Sequence, residues 1–315
     1  MQVWHGIEQI PDGLSGSVVT IGNFDGVHRG HRAVLTATTD RARALGVPAV
    51  ALTFDPHPAQ VHRPGTTPPL LTGLTDRLAL LAEIGIDATL VLHYTLDLAA
   101  LTPEEFVTGY LRDALRARAV VVGHDARFGR GNSGDQHTMA ALGREHGFVV
   151  DVVEDVGVDR RWSSSWAREL VEAGNVAAAA TILGRPHRMR GVVVRGQARG
   201  RDLGFPTANL APSATGTIPA DGVYAGWLRR HEGAGERLPA AISVGTNPTF
   251  GDIAERIVEA HVIGRTDLDL YDEEVVVEFV ERLRPTLRYE GVEALVTQMR
   301  LDVTDALTAL GEPAV

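Results

Sequence analysis

Two histidines three residues apart mark the turn Gly22-Asn23-Phe24-Asp25-Gly26-Val27-His28-Arg29-Gly30-His31, which leaves a short apolar strand and runs into a helical stretch. Its glycines let the backbone turn tightly and approach a ligand. At a helix N-terminus, unpaired N–H groups and the dipole favour anions. His28 and His31 would therefore meet a phosphate together with free amides. One histidine in such a turn is more often incidental than functional. Two at this spacing read as a phosphate site.

A second segment runs from Gly196 to Leu210 (GQARGRDLGFPTANL) and includes Gly200 and Gly204. Thr207 and Asn209 lie two apart, so both point to one side if the chain is extended. A hydroxyl and an amide oxygen so placed could share a hard cation such as Mg²⁺ with phosphate oxygens. Other histidines, at 62, 93, 137 and 146, are isolated and read as structural or exposed.

Composition narrows the chemistry. All 30 basic residues are arginine, and the 315-residue chain has neither lysine nor cysteine. That excludes Schiff-base chemistry and the lysine-bearing phosphate loop. It also excludes thiolate nucleophiles, disulfides and thiolate zinc sites. Phosphate must be handled by arginine, histidine, hydroxyls, backbone N–H groups and a metal. Forty acidic residues against thirty basic give a net charge of −10 and a pI near 5.6. This balance argues against nucleic-acid or membrane-surface partners. No apolar run approaches the ~20 residues of a membrane span. The first residues lack a signal peptide's basic start and apolar stretch, so a cytoplasmic protein is expected. The oligomeric state is left open, a homo-oligomer included.

These sites need elements to hold them. Residues 18–21, 47–54, 88–92, 119–122 and 148–153 read as strands, alternating with helical segments at 30–45, 74–84, 103–117 and 136–146. Such alternation means a doubly wound parallel sheet covered on both faces, an α/β fold. Ligands there bind beyond the carboxyl ends of the strands. Two helical segments, 165–173 and 175–183, lead to a break at Gly184-Arg185-Pro186. Beyond it, residues 192–194, 223–228, 240–244, 256–263 and 275–283 are strand-like, and 291–309 reads as a terminal helix. The second half is an antiparallel sheet or small β-barrel. Residues 231–237 look like a mobile hairpin loop. The expected domains are 1–184 and 185–315.

The first decapeptide resembles the H-x-G-H signature of nucleotidyltransferases, in the form carried by bacterial FAD synthetases. Thr53-Phe54-Asp55-Pro56-His57-Pro58 resembles a loop motif of that family. Gly123-His124-Asp125-Ala126-Arg127-Phe128-Gly129 is similar to its G-x-D-F-R-F-G, with Ala126 where phenylalanine is usual. Ser163-Ser164-Ser165-Trp166-Ala167-Arg168 stands where the family has S-S-T-R-I-R, so Trp166 replaces an arginine. In the second half, Gly200 to Leu210 resembles the G-R-x-L-G-F-P-T-A-N loop of riboflavin kinases. Ser243 to Gly251 (SVGTNPTFG) and Val258-Glu259-Ala260-His261 match in order.

The resemblance is to the bacterial bifunctional riboflavin kinase/FAD synthetase family, and it implies a nucleotidyltransferase domain followed by a flavokinase barrel with a C-terminal helix. It assigns His28 and His31 to the transferring phosphate. Gly22, Phe24, Asp25, Gly30, Asp125, Arg127, Ser164, Ser165 and Arg168 fall to nucleotide and phosphate binding in the first site. Gly200, Gly204, Thr207 and Asn209 do the same in the second, Thr207 and Asn209 also holding metal. Asp55, His57 and Asn247 are assigned to flavin, and Glu259 to general-base catalysis. The implied ligands are riboflavin, FMN, FAD and ATP, with Mg²⁺. Two other readings remain open: a riboflavin kinase whose adenylyltransferase half is impaired, motivated by Trp166, and a non-catalytic flavin- or nucleotide-binding regulator.

Overall fold

The structure is a computed structural model that describes residues 1–158, 160–196, 203–230, 235–246, 256–265 and 267–313. The chain packs as two compact units: residues 1–68 with 74–163, and residues 69–73 with 164–315.

In the first unit, strands β1 (Gln2–Trp4), β2 (Ser17–Ile21), β3 (Ala49–Asp55), β4 (Ala88–His93), β5 (Ala117–Gly123) and β6 (Val149–Val153) form one sheet in the order β1-β4-β3-β2-β5-β6. Every pairing is parallel. Successive residues of the central strands feed opposite faces. Val19, Leu52 and Val120 join one core with Trp4, Phe106 and Leu111, while Val18, Ala51 and Val121 join another with Leu35 and Leu80. Strands buried on both faces are why these segments are continuously apolar. Helices α1 (Arg29–Leu45), α2 (Pro58–His62), α3 (Leu74–Ile84), α4 (Leu96–Ala100), α5 (Pro103–Phe106) and α6 (Gln136–His146) follow in turn.

Two details differ from the sequence expectation. β1 is a sixth strand, too short to show a pattern, yet Trp4 is buried and pairs with Leu90. The helix expected over 103–117 is α-helical only to Phe106 and then winds as a π-helix over Val107–Ala114. Its start is as the residues dictate: Thr102 Oγ1 accepts from the Glu105 N–H at 3.2 Å, and Glu105 accepts from the Thr102 N–H at 2.7 Å.

The second unit opens with α7 (Ser164–Glu172) and α8 (Val176–Leu183), capped by Gly184 at φ 73°. Strands β7 (His187–Val194), β8 (Ala208–Leu210), β9 (Gly222–Arg230), β10 (Arg237–Thr246), β11 (Arg256–Val262) and β12 (Glu274–Arg284) close a barrel in the order β10-β11-β8-β7-β12-β9. All its pairings are antiparallel. Alternate residues such as Val193, Tyr224, Ile242, Val258, Ala260 and Val277 fill the interior. The last helix, α9 (Val292–Leu310), packs Ala306 and Leu307 against Ala225 and Ile263. A two-fold ion pair ties it to β12, with Arg284 Nε and Nη2 donating to Asp302 at 2.7 and 2.6 Å. Residues 231–234 of the expected hairpin loop lie outside the described residues.

Candidate active sites

The first site forms at the carboxyl end of β2. Phe24, Gly26 and Val27 adopt left-handed backbone (φ 51°, 78° and 38°), which swings the chain from the strand into α1. Gly22 is required by contact: a Cβ there would lie 2.9 Å from the Phe24 ring. His28 is the N-cap of α1, its Nδ1 accepting from the His31 N–H at 3.3 Å. The two imidazoles stack with centroids 3.7 Å apart, and Phe24 meets His31 edge-on at 5.4 Å. A Cβ on Gly30 would sit 3.0 Å from the His28 ring, so glycine lets the helix start this close to the imidazole.

Burial, and secondarily the neighbouring His28, holds the His31 pKa well below the ordinary histidine value. Both effects disfavour the imidazolium. Nδ1 of His31 is buried and has no hydrogen-bond partner among the described residues. A neutral imidazole with an unanswered nitrogen, stacked on a second one at a helix N-terminus, suits an incoming phosphate.

The other motif loops of this unit open at the ends of neighbouring strands. Asp55 ends β3, and His57 caps α2 through Nδ1, which accepts from the Ala59 N–H at 3.1 Å. Asp125 follows β5 and is ion-paired with Arg161, which also reaches Asp155 at 3.4 Å. Arg127 is exposed and donates to the Ala126 carbonyl at 2.9 Å. Sequence reasoning missed Arg77, a fully buried arginine on α3 that bonds the carbonyls of Asn23 and Phe54. An arginine inside an amphipathic helix carries no local signal of this role.

Ser164, Ser165 and Arg168 belong to the second unit, in the first turns of α7. Arg168 Nε donates to the Pro69 carbonyl at 2.7 Å. Ala167, where the family has isoleucine, is fully buried.

The second site is built on the barrel. β11 runs antiparallel to β8 with Glu259 opposite Asn209. Asn209 Nδ2 donates to the Thr207 carbonyl and hydroxyl, both at 3.3 Å, reserving its amide oxygen for another partner. Partial burial raises the Glu259 carboxyl above its ordinary value. Two residues along β11, His261 bonds the Pro206 carbonyl through Nδ1 at 2.8 Å and meets the Phe205 ring edge-on. It thereby fastens the segment that presents Thr207. Gly204 takes φ 85°, a conformation that glycine adopts freely. Gly200 and Asn247 lie outside the described residues.

Thr207 also edges a small cleft lined by Val193, Ala208, Val262, Arg265, Leu270 and Tyr271. Among the described residues no three histidine, aspartate or glutamate side chains gather to hold a metal. The oxygens of Thr207 and Asn209 fit a hard cation that takes its remaining ligands from nucleotide phosphates and water.

Comparison with known proteins agrees with both halves. The family described as FAD synthetase matches residues 10–167, and that described as riboflavin kinase matches residues 183–310. The bifunctional riboflavin kinase/FMN adenylyltransferase of Escherichia coli K12 is 35% identical over 98% of this chain and 96% of its own length. The protein of the same name from Pseudomonas fluorescens is 36% identical over 100% and 99%. A crystal structure described as a macrolide-efflux protein from Streptococcus pneumoniae superposes with a TM-score of 0.85 at 30% identity, over 96% and 97% of the two chains. Among the described residues no helix is long and apolar enough to cross a membrane. With both family matches in chain order and relatives aligned along nearly its whole length, the chain belongs to the bifunctional riboflavin kinase/FMN adenylyltransferase family.

Proposed function

We infer that the chain phosphorylates riboflavin to FMN with ATP and then adenylylates FMN to FAD, releasing pyrophosphate. The observation that carries the first step is Glu259 opposite Asn209, with Thr207 in contact with Asn209. Glu259 takes the proton from the riboflavin 5′-hydroxyl as that oxygen attacks the γ-phosphorus of ATP and ADP leaves. Its burial supports this role, because a desolvated carboxylate is the stronger base. Mg²⁺, with Thr207 and Asn209 as its protein donors, would neutralise phosphate charge.

In the second step the FMN phosphate attacks the α-phosphorus of ATP. FMN is already a competent nucleophile, so the protein positions the reactants and offsets charge. His28 and His31 face the transferring phosphate, and the family pattern gives Ser164, Ser165 and Arg168 to the departing pyrophosphate. Asp55 and His57 fall to the flavin side, and Asp125 and Arg127 to the nucleotide. The cytoplasm, where ATP is plentiful, is the proposed location. Supplying riboflavin, ATP and Mg²⁺ to the purified chain and separating flavins by chromatography tests the proposal. FMN followed by FAD is expected, and no phosphorylated flavin at any enzyme concentration would overturn it.

A further inference from the structure

We propose that Arg77 is a positioning residue for adenylyl transfer, its buried guanidinium bracing the His28–His31 turn against the carboxyl end of β3. This rests on the assignment of that turn to the adenylyltransferase site.

Arginine is almost never fully buried unless its charge is engaged. Arg77 is 1% exposed, and its two terminal nitrogens go to the turn after β2 and to the end of β3. Nη1 donates to the Asn23 carbonyl at 2.7 Å, at the carboxyl end of β2. Nη2 donates to the Phe54 carbonyl at 3.1 Å and lies 3.9 Å from Asp55 Oδ1, at the end of β3. The Asn23 carbonyl is held a second time by the Thr53 hydroxyl at 3.3 Å. The next residue is Phe24, whose buried ring meets His31 edge-on, and His31 stacks on His28. From guanidinium to imidazole the path is therefore one carbonyl and one aromatic ring.

The turn needs such a brace. Left-handed backbone at Phe24 and Val27 is costly for residues with a Cβ and persists only where neighbours over-determine it. The planar fork of arginine can bond two segments at once, whereas a lysine ammonium is a single point charge. Burial draws the Arg77 pKa down, while Asp25 and Asp55 act in the opposite direction. Because the side chain is fully buried, it acts through the turn and not by touching substrate.

The test measures FAD formation from FMN, and FMN formation from riboflavin, in the full chain with Arg77→Met, Arg77→Lys and His28→Ala. Arg77→Met is expected to lower kcat for FAD formation about 100-fold per folded molecule, as a misplacement near 1 Å does. Riboflavin phosphorylation should keep its rate. Arg77→Lys should recover part of the loss and fall short of the original, because a single ammonium cannot bridge the turn and the end of β3 as the fork does. If Arg77→Met does not fold, Arg77→Lys decides alone. Wild-type kcat and KM in Arg77→Lys would overturn the brace. So would a loss in Arg77→Met that merely follows the folded fraction read by far-UV circular dichroism. Unimpaired FAD formation in His28→Ala overturns the site assignment and the brace together. Impairment there beside an unimpaired Arg77→Lys overturns the brace alone.

Discussion

Glu259 and Asn209 face each other across β11 and β8, although the whole of β9 and β10 separates them in sequence. The pairing joins the proposed base to one of the proposed metal donors. Glu259→Gln keeps the shape and removes the base, so FMN formation should fall by roughly 10²–10⁴-fold. FAD formation from added FMN should be unaffected. Equal loss of both activities in the folded variant would contradict the division of labour.

The raised Glu259 pKa has a pH signature. The base must be ionised to accept the proton, so kinase kcat/KM should rise with pH through a pKa above that of an ordinary glutamate. An acid limb at or below the ordinary value would contradict a half-buried base.

His31 gives the opposite sign. Its folded pKa is depressed, by burial first and by His28 second, while the unfolded chain protonates near the ordinary 6.5. Between those two pKa values the unfolded state binds more protons, so stability falls as pH drops through that window. His31→Phe removes this contribution. Urea midpoints at about pH 7.5 and about pH 5.5 should differ less for the variant than for the original chain. An equal fall in both refutes a buried neutral His31.

Much of this was legible in sequence because apolar runs and motif order are local properties. The edges of α3 and α6 coincide with their expected limits, and β2 to β6 each lie within a residue or two of their expected ranges, β1 alone having none. The glycine-rich turn announced the stacked histidines. Arg77 could not be read this way: its partners, Asn23 and Phe54, reach it only through the parallel pairing of β2 with β3. The part played by His261 was equally hidden, since its bond to Pro206 depends on β11 lying beside β8. Arg161 sits upstream of the serine run as a ready cation, yet its charge is committed to Asp125 and Asp155.

That commitment bears on Trp166, which stands where the family carries arginine. Trp166→Arg restores a cation to α7. A charge-assisted hydrogen bond to phosphate contributes about 1.5–3 kcal/mol, so KM for ATP in FAD formation should fall roughly tenfold. An unchanged KM would mean that position 166 does not meet the nucleotide.

Arg284 and Asp302 hold α9 to β12 with both carboxylate oxygens engaged and little exposure. Removing one partner leaves the other charge buried, so Asp302→Ala should cost about 3 kcal/mol in urea unfolding. A cost below about 1 kcal/mol would mark the pair as an ordinary surface contact.

The most direct test of the bifunctional assignment gives the purified chain FMN, ATP and Mg²⁺ without riboflavin and follows FAD by chromatography. FAD and pyrophosphate should appear in equal amounts, despite Trp166 and the absence of lysine. A chain that phosphorylates riboflavin yet forms no FAD at any concentration of FMN or ATP would contradict it.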